Sequence, residues 1–418
     1  MAFWLIRNPS NVKIFAVISK SFYFSIIYFF IFCLHFSEWS QAIELADDIQ
    51  VHGFLSQGYF LTSDNQLFGS SDSGGSLDFT EAGLNASWSP FADLRFGAQV
   101  LFRRAGPRHE HDIELDFGLL DYTILSTVDS RFGVRLGRVK NPYGFYSETR
   151  DVLFTRPTII LPQSIYADAT RDLALSADGG LFYGEYRNDW GNLSLDLEAM
   201  IPRGDSLDTE IVTLGADFPG GTYSKLSYIG RFSYDLDDGK YRIAITAARL
   251  DTRYKSKFLP PDDFLPGKEI FKPLVVSMQY NQEKLSLTSE YAIRSSTTTG
   301  FGSELDDNSI TGEGYYFQAL YRFSDDFHAV GRYDVFYADR KDKNGKKFQA
   351  NTGYPAYSQF AKDLTIGLRY YVNPSFLLAA EYHYINGTAW LLPLQEKPNP
   401  FDLEQYWHLF AFAASFRF

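Results

Sequence analysis

From about Ile49 onward, apolar residues in this chain recur at every second position, in one segment after another. Successive side chains of an extended strand point to opposite faces, so a two-residue period makes strands with one greasy and one polar face. Residues 94–103 show the rule. Leu94, Phe96, Ala98, Val100 and Phe102 share one face, and Arg95, Gly97, Gln99, Leu101 and Arg103 share the other. The same division recurs at Leu193, Leu195, Leu197 and Ala199 against Ser194, Asp196, Glu198 and Met200. It recurs again at Leu364, Ile366, Leu368 and Tyr370 against Thr365, Gly367, Arg369 and Tyr371.

Sixteen segments fit this pattern: 49–61, 77–89, 93–103, 112–125, 131–140, 180–188, 192–201, 223–235, 240–250, 272–281, 284–294, 314–323, 326–338, 362–372, 375–386 and 406–418. Their connections alternate between tight turns and long loops. The turns are rich in Asp, Asn, Gly, Ser and Pro. The loops are 62–76, 104–111, 141–179, 202–222, 251–271, 295–313, 339–361 and 387–405. An even-stranded antiparallel transmembrane β-barrel needs this alternation, with short turns on one side of the membrane and long loops on the other. A bilayer also demands closure, because unpaired backbone groups in hydrocarbon cost several kcal/mol each. Aromatics make up 17% of the chain, yet the mean hydropathy is −0.21. That combination fits alternating strands and excludes a bundle of transmembrane helices. Tyr122, Phe132, Tyr241, Phe323, Phe327, Tyr337, Tyr370 and Tyr384 lie near strand ends and are expected at the interfacial girdles.

Residues 1–42 differ from the rest. Lys13 and Lys20 precede an apolar stretch at 21–36, followed by Ser40 and Ala42 at cleavage-site spacing. This pattern predicts a signal peptide cut near Ala42, with the barrel in 43–418. The single cysteine, Cys33, falls inside that leader, so disulfide and thiol chemistry are not expected in the remainder. The net charge of −12 provides no global attraction to nucleic acid.

Residues 406–418 read YWHLFAFAASFRF, with Phe410, Phe412, Ala414, Phe416 and Phe418 on one face. An aromatic at the last position, preceded by alternating apolar residues, resembles the recognition signal of Gram-negative outer-membrane barrels. The resemblance implies docking on the barrel-assembly machinery through Phe410, Phe412, Phe416 and Phe418. Together with sixteen strands and a long loop after the fifth, it makes the chain similar to the bacterial porin superfamily. That likeness implies a homotrimer in the cell outer membrane, among lipid and lipopolysaccharide, and an aqueous channel for passive diffusion of small hydrophilic solutes. It also implies that the third long loop, 141–179, folds into the lumen. The Pro-Glu-Phe-Gly-Gly type sequence of general porins is absent from this loop.

A barrel of this size leaves a lumen too wide for side chains to fill. Arg95, Arg103, Arg131 and Arg135 fall on the polar face of the third and fifth segments, and Arg138 and Lys140 follow at the upper end. The loop supplies Glu148, Asp151, Asp168, Asp172 and Asp178. In porins a basic wall facing an acidic loop sets up a transverse field, so Arg95, Arg103, Arg131, Arg135, Glu148, Asp151, Asp168 and Asp172 form the expected constriction. The same charges could instead pair and pin the loop to the wall. His109 and His111 lie on one side of an extended segment but have no further ligands nearby, so neither metal nor cofactor is expected. No Gly-x-Ser-x-Gly, His-Glu-x-x-His or phosphate-binding glycine loop occurs, and the chain is expected not to be an enzyme. Two alternatives stand beside the diffusion channel. One is a substrate-selective porin for anions or organic acids, and the other is a structural or adhesive barrel with a blocked lumen.

Overall fold

The computed structural model describes residues 43–46, 48–106, 110–215, 219–257, 265–302, 305–391 and 399–418. The leader at 1–42 and His109 lie outside the described residues.

The alternating segments form sixteen barrel strands: β1 (Ile49–Thr62), β2 (Ser76–Phe91), β3 (Leu94–Ala105), β4 (Glu110–Ser126), β5 (Ser130–Lys140), β6 (Ser176–Asn188), β7 (Gly191–Pro202), β8 (Gly221–Ser224 continued by Ser227–Leu236), β9 (Tyr241–Lys255), β10 (Lys268–Asn281), β11 (Leu285–Thr299), β12 (Asn308–Arg322), β13 (Phe327–Tyr337), β14 (Phe360–Asn373), β15 (Phe376–Gly387) and β16 (Tyr406–Arg417). Each pairs antiparallel with the next, and β16 pairs with β1 from Leu409↔Thr62 to Arg417↔Phe54. The sheet is therefore closed, and no edge is left to hydrocarbon. A short extended piece, Ile43–Ala46, folds back on the start of β1. Phe418 adds two backbone bonds to the closing seam. Its N–H donates to the Gly53 carbonyl (3.0 Å), and its carbonyl accepts from the Gly53 N–H (3.2 Å).

The faces separate as the two-residue period requires. Phe96, Val100, Leu195, Leu197, Ile243, Ile245, Ile366, Phe410 and Phe412 are exposed on the outside, where a bilayer would cover them. Gln99, Leu101, Arg103, Thr246, Thr365 and Leu409 are buried inside.

Several strands run further at their loop ends than the alternation indicates. β6 starts at Ser176 rather than 180, β9 ends at Lys255 rather than 250, β10 starts at Lys268 rather than 272, β11 ends at Thr299 rather than 294, and β12 starts at Asn308 rather than 314. Alternation is needed only where one face meets hydrocarbon. Beyond that level both faces are polar, and a run such as Ser295, Ser296, Thr297, Thr298 and Thr299 keeps its ladder without a greasy side. Tyr337 is a second difference. It is buried with Val335 and Phe360, and the Lys343 ammonium from the following loop sits 5.0 Å from its ring centre, so it is not a girdle residue.

The interior is partly packed. The inward face of β16 carries Trp407, Leu409 and Ala411, all fully buried. They join Phe60 and Phe79 of the wall, Leu67 and Phe68 of the first loop, and Leu153, Ile159 and Ile160 of the third. This explains why the last strand is apolar on both faces: one side meets hydrocarbon and the other meets loops. A second cluster sets Tyr143, Tyr146, Leu161, Ile165 and Tyr166 of the third loop against Met200, Ile229, Leu250, Val275 and Tyr316 on the opposite wall.

Candidate functional site

The third long connection, L3, spans 141–175, and its last four expected residues belong to β6 instead. Gly144 has φ +60°, and a Cβ there would overlap the Tyr166 hydroxyl and crowd Glu290. The bare backbone lets the Phe145 and Tyr146 N–H groups donate to the Tyr166 hydroxyl (2.7 and 3.0 Å). That hydroxyl donates to Glu290 of β11 (2.6 Å), which also accepts from Ser277 (2.5 Å) and Tyr316 (2.8 Å). Both oxygens of this buried carboxylate thus accept hydrogen bonds.

L3 then crosses to the other side of the barrel. The Ile159 and Ile160 N–H groups donate to Glu381 of β15 (2.5 and 3.4 Å). Arg332 of β13 donates to Thr158 Oγ1 and the Ile160 carbonyl, both at 2.8 Å. Arg369 of β14 donates to the carbonyls of Arg156 (2.7 Å) and Leu153 (3.1 Å). Behind this clamp, His383 lies between Asp363 (2.9 Å) and Glu381 (3.3 Å).

Between the two ends runs an ionic network. Arg103 of β3 binds Asp168 at 2.8 Å and Glu81 of β2 at 3.4 Å. Arg156 binds Glu81 at 3.2 Å, and Arg171 binds Asp151. Lys140 bridges Asp116 (2.6 Å) and Asp151 (2.9 Å), and Arg150 approaches Asp168 at 3.5 Å. Glu148 pairs with Arg231 of β8 at 2.6 Å, and Asp172 with Arg203 at 3.4 Å. Burial alone would raise the Asp151 and Asp168 carboxyls. The guanidinium of Arg171 and the ammonium of Lys140 at Asp151, and Arg103 with Arg150 at Asp168, outweigh it and hold both well below the usual carboxylate range. Burial pushes the Tyr143 and Tyr146 phenols up to about 12.

The eight expected constriction residues fall into two groups. Arg103, Glu148, Asp151, Asp168 and Asp172 meet along L3, each in an ion pair. Arg95 and Arg131 remain exposed on the inward face toward the short turns, and Arg135 pairs there with Asp121 at 3.1 Å, 4.9 Å from the Tyr183 ring centre. Arg138 and Asp178 do not join either group. They pair with each other (2.7 Å) on the outer face, in line with Leu136 and Phe182, because Arg138 follows the outward parity of Leu136 and Asp178 belongs to β6 rather than to the loop. Glu81 and Arg156 were not among the expected residues. Strand parity places Glu81 inward, but nothing local indicates that Arg156 returns to meet it. At the assembly motif, Phe410 and Phe412 are exposed on the outer face, and Phe416 packs on Phe376 and Leu55.

No family model matches the sequence, and no curated protein matches it. Solved structures do. OmpF of Salmonella typhi, in a complex with daunomycin, is similar with a TM-score of 0.57 at 14% identity, over 90% of this chain and 100% of that one. The outer membrane channel DcaP of Acinetobacter baumannii matches with a TM-score of 0.55 at 11% identity, over 91% and 99%. OmpT, an outer membrane protein of Vibrio cholerae, matches with 0.54 at 11%, over 90% and 99%. The OmpT match corrects the expectation that the chain is not an enzyme. At this identity the likeness bears on the fold alone, a shared barrel does not exclude catalysis, and that exclusion is withdrawn. What the closed sheet and these matches establish together is a sixteen-stranded antiparallel barrel with the fold of outer-membrane porins.

Proposed function

We propose that the chain forms an aqueous channel in a Gram-negative outer membrane, narrowed by L3, through which small hydrophilic solutes diffuse down their gradients. The observation that carries this reading is one long connection, fixed by buried ion pairs, across an interior whose wall toward the short turns exposes polar and charged residues. Gln50, His52, Arg95 and Arg131 are exposed on the inward face near the short turns. Such a wall favours water and hydrophilic solutes over greasy ones. The biogenesis that fits this location is a leader cut near Ala42, insertion by the barrel-assembly machinery through the β16 signal, and a trimer set among lipid and lipopolysaccharide.

One observation favours a second reading, a barrel with a blocked lumen. L3 bonds to β2, β3, β5, β8, β11, β13, β14 and β15, and its apolar residues pack against both sides of the interior. Conductance of the purified protein in planar bilayers separates the two. Ohmic steps that grow when L3 is shortened support the channel, and silence from both the full chain and the shortened variant leaves the blocked barrel.

A further inference from the structure

Beneath L3, on the side of the short turns, lies a cavity of ≈ 280 Å³. Its wall holds three guanidiniums, from Arg156, Arg322 and Arg369, the imidazole of His328, and several amides and hydroxyls, but no carboxylate. Arg322, His328 and Arg369 are direct cross-strand neighbours on β12, β13 and β14, so they form one inward-facing row. Adjacent strands are roughly 4.8 Å apart, which places the two arginine backbones about 10 Å from each other with the histidine between them.

The charge in this row is not compensated. Arg369 is 2% exposed and spends its donors on two L3 carbonyls and the Tyr371 hydroxyl. Arg322 donates to the carbonyls of Gln282 and Glu283 and to Ser286 Oγ. Among the described residues, neither has a carboxylate within ion-pair distance. His328 is also buried, and its Nδ1 has no hydrogen-bond partner. Elsewhere along L3 the buried arginines Arg103, Arg156 and Arg171 all meet acids. A buried cation without a counter-charge is costly, and an anion entering the cavity would relieve that cost. Phe154 and Tyr371 lie on the same wall with ring centres 6.1 Å apart, which gives the site an apolar side.

We infer that this cavity binds a small organic carboxylate, held by Arg322 and Arg369 across His328 with its apolar part against Phe154 and Tyr371. The inference rests on the reading of the interior as water-filled and names the solute class that the interior would hold. A space of this size is at the lower end for a ligand pocket, which limits the occupant to a small molecule.

The test is calorimetric titration of the full-length, detergent-folded protein with benzoate, and with benzamide as the uncharged counterpart of similar shape. Saturable benzoate binding at about millimolar concentration, with no benzamide binding, is expected. Arg322→Gln should weaken benzoate at least about tenfold, and Arg322→Lys should recover part of that loss. Arg369→Gln should abolish binding. Because Arg369 also holds L3, Arg322→Gln decides the matter if the Arg369 variant does not fold. Equal binding of benzoate and benzamide, or benzoate binding unchanged in Arg322→Gln, would overturn the site, as would no saturable benzoate binding by the wild type. Benzoate binding by a protein that passes no current would refute the channel and leave the site standing.

Discussion

Asp168 is the acid whose loss should most clearly release L3. The network around it holds five cations (Arg103, Lys140, Arg150, Arg156 and Arg171) and four carboxylates (Glu81, Asp116, Asp151 and Asp168). Asp168→Asn preserves shape and removes one negative charge. Arg103 keeps only the longer contact to Glu81, and Arg150 keeps only the Tyr166 carbonyl at 3.4 Å. Breaking a buried pair by removing one partner costs about 3–5 kcal/mol. About a fifth of the Asp168 side chain is exposed, which points to the lower end, about 3 kcal/mol. The barrel ladder does not depend on this pair, so the loss should appear as easier local opening of L3 rather than as global unfolding. Three kcal/mol is about two orders of magnitude in the opening equilibrium. Hydrogen exchange of the amides in 149–170 should speed up by that factor while the strand amides stay unchanged. Arg138→Gln, which removes an outer-face pair, should leave L3 exchange as it is. Exchange in Asp168→Asn within about threefold of wild type would mean that less than about 1 kcal/mol of anchoring passes through this residue, and the account of the network would be wrong.

Two further outcomes follow from the packing of L3. The Tyr143 and Tyr146 phenols are raised to about 12, so their contribution is complete below the ordinary phenol range near pH 10 and is lost as the pH climbs through about 12. The Asp151 and Asp168 carboxyls are depressed, so their contribution is complete above the usual carboxylate range and is lost progressively as the pH falls through and below that range. Exchange of the L3 amides beside these ion pairs, at 149–152 and 168–171, should therefore be flat from about pH 5 to 9 once corrected for the intrinsic rate, and a steep rise there inside that window would contradict the assignment. Trp407 is fully buried on the inward face, with Nε1 donating to the Gly387 carbonyl (3.2 Å) and its ring 5.4 Å from that of Trp390. Trp407→Ala should cost about 3–5 kcal/mol in reversible urea unfolding from lipid vesicles, and a loss under about 1 kcal/mol would show that the interior is loosely filled there.

The period of two in segments such as 94–103 and 364–371 was enough to set the strand count, the antiparallel order and the outward face. The reason is local: each strand must solve the same problem, one face in hydrocarbon and every backbone group paired, so each one writes the solution in its own residues. The strand ends near Lys268 and Thr299 could not be read this way, because above the bilayer nothing selects alternation. The interior obeys no such local rule. Asp151 and Asp168 could be placed in the loop from sequence, but not paired, since Arg171, Arg150 and Arg103 meet them only through the route of L3 across the barrel, whereas Glu81 faces Arg103 by the β2–β3 register alone. Arg138 and Asp178 had the composition of pore charges and lie on the outside, Arg138 by the same parity as Leu136, and Asp178 because a shift of a few residues in where β6 begins moves it from loop to strand. The apolar inner face of β16 had no evident purpose until Leu153, Ile159 and Ile160 were found against it. A membrane fixes one side of each strand in advance. What meets the other side is decided only when distant parts of the chain arrive together.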